Sequence, residues 1–223
     1  MKVVSSGPAY KDSVDALNNE FRDDSSNTII VLGACYYSQC YYALKGIKFP
    51  DFHRKYDKVV VFNQEQLHIK NNTLTTYYKE WLRQADEVWD YDETNFDLLY
   101  EYNNNIKLHL LKPYKDWSIY TPPIGKDIDI LFYGRMNDRR SYLLSELSKK
   151  YRVCFLTNEW QELDYYIIRS KILLNIHYYE DSALQEQARM IRWIGSPCRI
   201  ISEKSVKNYL GVEEYTYEEL LKL

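Results

Sequence analysis

A chain of 223 residues with 45% hydrophobic and 27% charged side chains has the composition of a soluble globular protein, long enough for one large α/β domain or two of roughly 110 residues each. No apolar run approaches the roughly 18 residues that a bilayer span needs, and a net charge of −3 supplies no overall positive field, so neither a membrane span nor nucleic acid as the main partner is expected. The four cysteines, Cys35, Cys40, Cys154 and Cys198, form no CxxC pair and read as reduced thiols, and MKVVSSGPAY lacks the apolar stretch of a secretory signal, so the expected location is cytoplasmic.

Taken in order, short β-branched or aliphatic runs at Lys2 (KVV), Thr28 (TIIVLG), Lys58 (KVVVF), Glu87 (EVWDY) and Ile106 (IKLHLL) read as strands. Between them Val14, Leu17 and Phe21, then Tyr77, Trp81 and Ala85, then Phe96, Leu99 and Tyr100 have helical spacing. Strand and helix alternate, which predicts βαβ units on a parallel sheet, because parallel neighbours need a crossover connection. The stretch Lys112 to Asp127, KPYKDWSIYTPPIGKD, holds three prolines and a glycine and reads as an interdomain linker between a domain over 1–115 and another over 128–223. The alternation then resumes with IDILFYG from Ile128, a helix from Asp138 to Lys150, VCFL from Val153, a helix from Glu162 to Arg169, ILLNIHY from Ile172, a further helix and the strand CRIIS. The expected fold is α/β, two compact Rossmann-like domains on parallel sheets.

Polar residues cluster where these strands end. In the first half, VVVFNQEQ places Asn63, Gln64, Glu65 and Gln66 after one strand, and EVWDYDETN places Asp90, Asp92 and Asn95 after the next. Such groups could grip sugar hydroxyls, and Glu65 or Asp90 could serve as a general base if burial raised its pKa toward neutrality. The competing reading is turn chemistry, with Asp92 or Thr94 capping the helix that follows.

In the second half, DIDILFYGRMNDRR runs from a strand through Gly134 into a helix capped by Asn137 or Asp138. A helix N-terminus at the carboxyl edge of a parallel sheet suits an anion, and Arg135, Arg139 and Arg140 add guanidiniums shaped for phosphate oxygens. The competing reading is a surface basic cluster paired to acidic neighbours. Neither GxGxxG nor GxxxxGK[ST] occurs here, which argues against a dinucleotide enzyme and a P-loop NTPase. Further on, NIHYYEDSALQEQARMIRWIGSP ends a strand at His177, with Tyr178, Tyr179 and Glu180 at the strand end. Ser182 and Gln185 have capping-box spacing, which predicts a helix from about Ala183 that Gly195 and Pro197 terminate. Helical geometry would put Leu184, Ala188 and Ile191 on the buried face and Glu186, Arg189 and Trp193 on the other, where Glu186 could accept both hydroxyls of a ribose. An exposed i,i+3 ion pair between Glu186 and Arg189 competes with that reading. His53, His68, His109 and His177 are scattered, so no metal is expected. The 23 tyrosines could supply platforms for sugars or bases, or reflect an A+T-rich coding sequence.

The order FNQEQ, VWDYDETN, DIDILFYGRMNDRR, SKILLNIHYYE, QEQAR and IISE, over roughly Ile30 to Glu203, resembles that of small glycosyltransferases of the two-Rossmann-domain (GT-B) type found in bacterial and viral genomes. The resemblance implies a UDP-, GDP- or dTDP-linked sugar bound by the C-terminal domain, a glycan acceptor in the interdomain cleft, and hexosyl or pentosyl transfer with no metal and no cofactor besides the donor. By position it sets Gly134, Asn137 and Arg140 by the diphosphate, Glu186 by the ribose, Arg189 by the ligand or its supporting shell, and His177 and Glu180 near the sugar. Arg135 stands where such enzymes more usually carry a small polar residue, and the chain is short for the fold. A carboxylate or His177 would assist the acceptor hydroxyl. The rival expectation is a non-catalytic carbohydrate- or nucleotide-binding module of a glycan-assembly system.

Overall fold

The computed structural model describes residues 1–35, 49–67, 74–121, 125–157, 162–180 and 184–223. The chain divides into two units, Met1–Tyr114 and Lys115–Leu223, each built on a five-stranded parallel sheet. This is the α/β architecture of two Rossmann-like units that the alternation predicts.

Unit 1 carries β1 (Lys2–Ser5), α1 (Lys11–Glu20), β2 (Thr28–Leu32), α2 (Phe49–His53), β3 (Lys58–Asn63), α3 (Thr76–Gln84), β4 (Glu87–Asp90), α4 (Phe96–Leu99) and β5 (Ile106–Leu108). Its strands lie in sequence order, β1-β2-β3-β4-β5. The central strands are Val- and Ile-rich because both their faces are covered: Ile29, Val31, Val59, Val61 and Val88 pack on Phe52, Trp81, Leu82 and Leu99. α3 starts at Thr75, whose hydroxyl accepts from Tyr78 N at 3.2 Å, and it buries Tyr78, Trp81 and Leu82. Trp81 and Ala85 are buried as the spacing predicts, whereas Tyr77 is 55% exposed and Tyr78 takes its place on the covered face.

Unit 2 carries β6 (Ile128–Tyr133), α5 (Asp138–Ser148), β7 (Val153–Leu156), α6 (Leu163–Arg169), β8 (Ser170–Asn175), α7 (Gln187–Met190), β9 (Arg199–Glu203), β10 (Glu213–Tyr215) and α8 (Tyr217–Leu220). Side chains alternate across β6, as the pleat requires. Ile130 and Phe132 meet Leu143, Leu144, Leu147 and Leu220 on one face. Leu131 and Tyr133 meet Leu163, Ile167, Met190 and Trp193 on the other. The strand order β10-β9-β8-β6-β7 leaves β6 toward β7 on one side and returns to β8 on the other. That reversal makes the β6/β8 junction a topological switch point, where a crevice opens at the carboxyl ends of the strands.

The stretch read as a linker contributes to unit 2. Trp117 is buried, its Nε1 donating to Arg192 O at 3.0 Å, and Tyr120 Oη donates to Asp164 at 2.8 Å. Pro122 and Pro123 lie outside the described residues, as do Cys40 and His68. Cys198 is a thiol whose Sγ lies 3.1 Å from the Ile167 and Ser170 carbonyls. Among the described residues no helix is long and apolar enough to cross a membrane, and no three His, Cys, Asp or Glu side chains gather as a metal-binding group.

Candidate functional site at the carboxyl ends of β6 and β8

β6 leaves the sheet through Gly134, whose φ of +142° is a conformation that side chains rarely adopt. A Cβ there would stand 3.0 Å from Nη2 of Arg189. The opening that the sequence reserved for a ligand is thus occupied by this chain's own guanidinium. Asn137 caps α5, its Oδ1 accepting from Arg140 N at 2.9 Å, while its Nδ2 donates to Tyr178 O at 2.6 Å. The cap therefore ties the helix N-terminus to the loop after β8.

Four arginines surround this junction. Arg140 is 1% exposed; its Nε and Nη2 donate to Ile176 O at 3.0 and 2.5 Å, its Nη1 to Arg135 O at 2.7 Å, and its Nη2 also meets Glu186 Oε1 at 3.1 Å. Arg140, set beside a diphosphate by the resemblance, is a buried brace between the ends of β6 and β8. Arg139 grips the Glu203 carboxylate with both arms of its fork and reaches His177 O at 3.2 Å. Arg189 meets Glu186 Oε2 at 2.5 Å and donates from Nη1 to Asn175 Oδ1 at 2.9 Å. Arg139 and Arg140 do pair with acidic neighbours, as the competing reading has it, but they are not on the surface, and the i,i+3 pair of Glu186 and Arg189 forms with both side chains largely covered. Arg135 differs: it is exposed, lies 5.7 Å from the Tyr178 ring centroid, and has no carboxylate partner among the described residues.

The charges do not cancel, since within the bonded set Arg139, Arg140 and Arg189 face two carboxylates, Glu186 and Glu203, while Arg135 and Glu180 offset one another at the rim. Burial, then the neighbouring Arg189, pushes the Arg140 guanidinium down to about 10. Burial also pushes the Glu186 carboxyl up, but Arg189, Arg140 and His177 outweigh it and hold the group below its ordinary value. The junction is a partly buried site with positive charge in excess, which suits an anionic ligand.

The helix carrying Glu186 and Arg189 is shorter than the spacing predicts. Ser182 and Ala183 lie outside the described residues, and α7 begins only at Gln187. Gln185 makes no cap: its side chain donates to Asn208 Oδ1 at 2.8 Å and accepts from Leu210 N at 2.9 Å. Glu186 consequently sits at the mouth of α7, not on a helical face. Trp193 is fully buried against Tyr133, ring centroids 5.5 Å apart, because the chain turns after Met190 and drives it into the core. The sequence had placed it on the ligand face.

His177 is 1% exposed; its backbone N–H donates to Glu203 Oε2 at 2.9 Å, and its Nε2 lies 3.2 Å from Lys204 O. Glu180 is exposed and makes no hydrogen bond or ion pair among the described residues. The structure therefore brings Asn137, Arg139, Arg140, His177, Glu186 and Arg189 together through hydrogen bonds and ion pairs, sets Gly134 against the Arg189 guanidinium, and leaves Arg135 and Glu180 exposed. Sequence reasoning assigned no role to Asn175 and Glu203, the polar residues that end the apolar runs of β8 and β9. That signal was available, because a polar residue closing a buried strand at the carboxyl edge is set to face the crevice.

In unit 1, Asp90 is fully buried. Its Oδ2 accepts from Asn63 Nδ2 at 2.7 Å, its Oδ1 from Asp92 N at 2.8 Å, and Asn95 Nδ2 reaches both oxygens at 3.1 and 3.2 Å. Burial pushes the carboxyl up to about 8 against those hydrogen bonds. The shift expected for a base is there, but a base must reach the proton it takes, and this carboxyl has no exposed surface. Asp90 is a hub: Asn63 and Asn95 also donate to Glu65 O, at 2.9 and 3.1 Å, fixing the loop after β3. Asp92 caps the turn Glu93–Asn95 through Thr94 N at 2.9 Å, as the turn-chemistry reading has it. Glu65 is half-buried and accepts from Tyr10 Oη at 2.7 Å. Tyr10 can lie there because Gly33, at φ +70°, has no Cβ, which would fall 2.5 Å from the Tyr10 ring.

No family model matches the chain. It is 28% identical over 174 residues to Uncharacterized protein L140 of Acanthamoeba polyphaga mimivirus, covering 73% of this chain and 54% of that protein. It is 30% identical over 159 residues to Uncharacterized protein L137 of the same virus, covering 66% of this chain and 20% of that protein. The chain thus spans about half the length of the first relative and a fifth of the second. Among solved structures it is similar to a chain of the glycosylation-associated protein complex Gap123 from Streptococcus agalactiae, with a TM-score of 0.47, 12% identity, and coverage of 95% of this chain and 50% of that one. It is also similar to the apo form of the lipopolysaccharide outer core galactosyltransferase WaaB, with a TM-score of 0.45, 11% identity, and coverage of 95% and 69%.

Proposed function

We propose that this chain is the sugar-nucleotide-binding part of a glycosyltransferase, with the donor at the β6/β8 switch point of unit 2. The carrying observation is the set of three guanidiniums, Arg139, Arg140 and Arg189, held near Gly134 against two carboxylates, Glu203 and Glu186, the latter at the mouth of α7. An ionised carboxylate offers about four lone-pair sites; Arg140, Arg189 and the Tyr178 backbone N–H use three, which leaves capacity for a ribose hydroxyl. The diphosphate meets Arg135 and the first-turn amides of α5, and charge on the departing nucleotide is stabilised there as the glycosidic bond breaks. Glu65, positioned by Tyr10, is the carboxylate on the acceptor side, and the chemistry needs no metal.

The test is a thermal-shift panel of UDP, GDP and dTDP, each alone and sugar-linked. At a hundred times Kd, binding stabilises by about 2.7 kcal/mol, which for a chain of this size raises Tm by about 5–10 °C. Absence of a shift with every member refutes the donor site. One observation favours binding without turnover: Asp90 and Glu65, both named as bases, are each engaged in internal hydrogen bonds. A Tm shift with neither hydrolysis nor transfer selects that second reading.

A further inference from the structure

Three of the strands that end the two sheets carry charges that discourage further pairing: Lys2 in β1, Lys107 in β5, and Glu213 and Glu214 in β10. The remaining edge strand, β7, reads Val153, Cys154, Phe155, Leu156 and carries none. Phe155 is 58% exposed, and no other strand among the described residues holds a large apolar side chain so open to solvent. An apolar open edge is a template for another strand, and proteins that keep one ordinarily cover it. The ladder fixes what this edge offers. Ile130 N donates to Arg152 O at 3.3 Å and Gly134 N to Leu156 O at 3.0 Å, with Ile130 opposite Val153 and Phe132 opposite Phe155. Residues of a parallel strand bond a given neighbour at every second position, so Arg152, Cys154 and Leu156 face β6. The N–H and C=O groups of Val153 and Phe155 point outward, and nothing among the described residues bonds them.

We infer that β7 is a dimerisation edge, on which a second copy of this chain pairs antiparallel and joins the two unit 2 sheets into one. The spacing of the outward groups is self-complementary. A two-fold axis at Cys154 sets Val153 opposite the partner's Phe155 as a hydrogen-bonded pair, and the same pair recurs across the axis, so the outward groups of both copies bond one another. Val153 packs with the Leu143 cluster, and Phe155, two residues on, shares its face. Each Phe155 ring therefore lies across from the partner's Val153, an aromatic and β-branched contact of the kind that stabilises sheets. The absence of charge on β7 favours an equally apolar strand over a charged peptide. The two-fold arrangement also closes: it consumes the β7 edge of both copies, whereas a parallel or foreign strand leaves a further edge open. The inference is independent of the donor site.

The test combines sedimentation velocity of the 223-residue chain over a concentration series with residue-resolved hydrogen exchange by NMR. Wild type should pass from monomer to dimer by about 100 μM, as suits a small interface. The Val153 and Phe155 amides should exchange more slowly as the dimer forms, while that of Leu156, which bonds within the sheet, stays unchanged. Phe155→Lys should raise the dissociation constant about a hundredfold, because the two-fold axis doubles each loss of apolar burial. Val153→Pro removes an outward N–H that takes no part in the β6 ladder, and it should weaken the dimer while leaving the far-UV circular dichroism intact. The two variants act by different means, and the exchange pattern of wild type needs neither. A chain monomeric throughout the series overturns the inference, as does a dimer that persists undiminished in both variants. Val153 and Phe155 amides protected at every concentration in a monomer also overturn it, since residues of the same chain would then cover the edge.

Discussion

Replacing Asp90 by Asn tests the hub of unit 1 with almost no change in shape. Asp90 Oδ2 receives Asn63 and Asn95, and Oδ1 receives Asp92 N and Asn95. An amide nitrogen in either place confronts two donors. The neighbours cannot turn to help, because Asn63 Oδ1 is held by Tyr78 Oη at 2.8 Å and Asn95 Oδ1 by Leu67 N at 3.1 Å. A protonated carboxyl still accepts on its hydroxyl oxygen, whereas an amide nitrogen does not. With about 1–3 kcal/mol per unsatisfied buried group, Asp90→Asn should cost about 2–5 kcal/mol. The pH dependence carries a sign. The folded carboxyl is raised to about 8 from the ordinary aspartate value of 3.8, so between those values the folded state holds a proton that the unfolded state has released. The contribution of Asp90 to stability is therefore fully present below the unfolded pKa and falls as pH rises toward 8, by at most about 1.4 kcal/mol per pH unit. Other groups titrate alike in both proteins, so the wild-type minus variant difference isolates Asp90. Urea denaturation at pH 5, 6, 7 and 8 should show the gap widest at pH 5 and closing toward pH 8. A gap that widens with pH would mean that the donors hold the buried carboxyl ionised, and a gap within error throughout would mean that the hub does not hold the loop.

Three further outcomes follow from the β6/β8 junction. Gly134→Ala forces a side chain into a conformation of φ +142° and against Arg189 at 3.0 Å, and should destabilise by about 1–3 kcal/mol, read as a lower urea midpoint. Glu186→Gln leaves Arg140 and Arg189 without their shared carboxylate; losing one partner of a buried pair costs about 3–5 kcal/mol, and saturating diphosphate should restore part of the lost Tm if an anion belongs there. Arg135→Gln touches no ion pair among the described residues, so its stability should stay within about 0.5 kcal/mol of wild type. Diphosphate binding to that variant should weaken, and its salt dependence should become shallower.

Much of the fold was legible because its causes are local. The Val and Ile runs of β2, β3, β6 and β8 are strands wherever both faces are covered, and the proline-rich stretch after Lys112 falls where the two units meet in sequence. The site was legible as a set of residues at strand ends, since Gly134, Asn137, His177 and Glu186 all stand within a few positions of β6, β8 or α7. What they do to one another was not. Spacing put Glu186, Arg189 and Trp193 on one solvent-facing stripe, but the helix starts at Gln187 and ends at Met190, so one is a carboxylate at a crevice and another a core aromatic.

The sequence by itself determined the order of strands and helices, the parallel class of the sheets and the half of the chain holding the cations, because apolar period and turn residues act over a few positions. Only the tertiary structure decided the strand order that makes β6/β8 a switch point, the occupation of the Gly134 opening by Arg189, the pairing of three arginines with Glu186 and Glu203, and the burial of Asp90. Each of these joins residues far apart in the chain through charge or hydrogen bonds, and such interactions depend on distance in space, which no local pattern encodes.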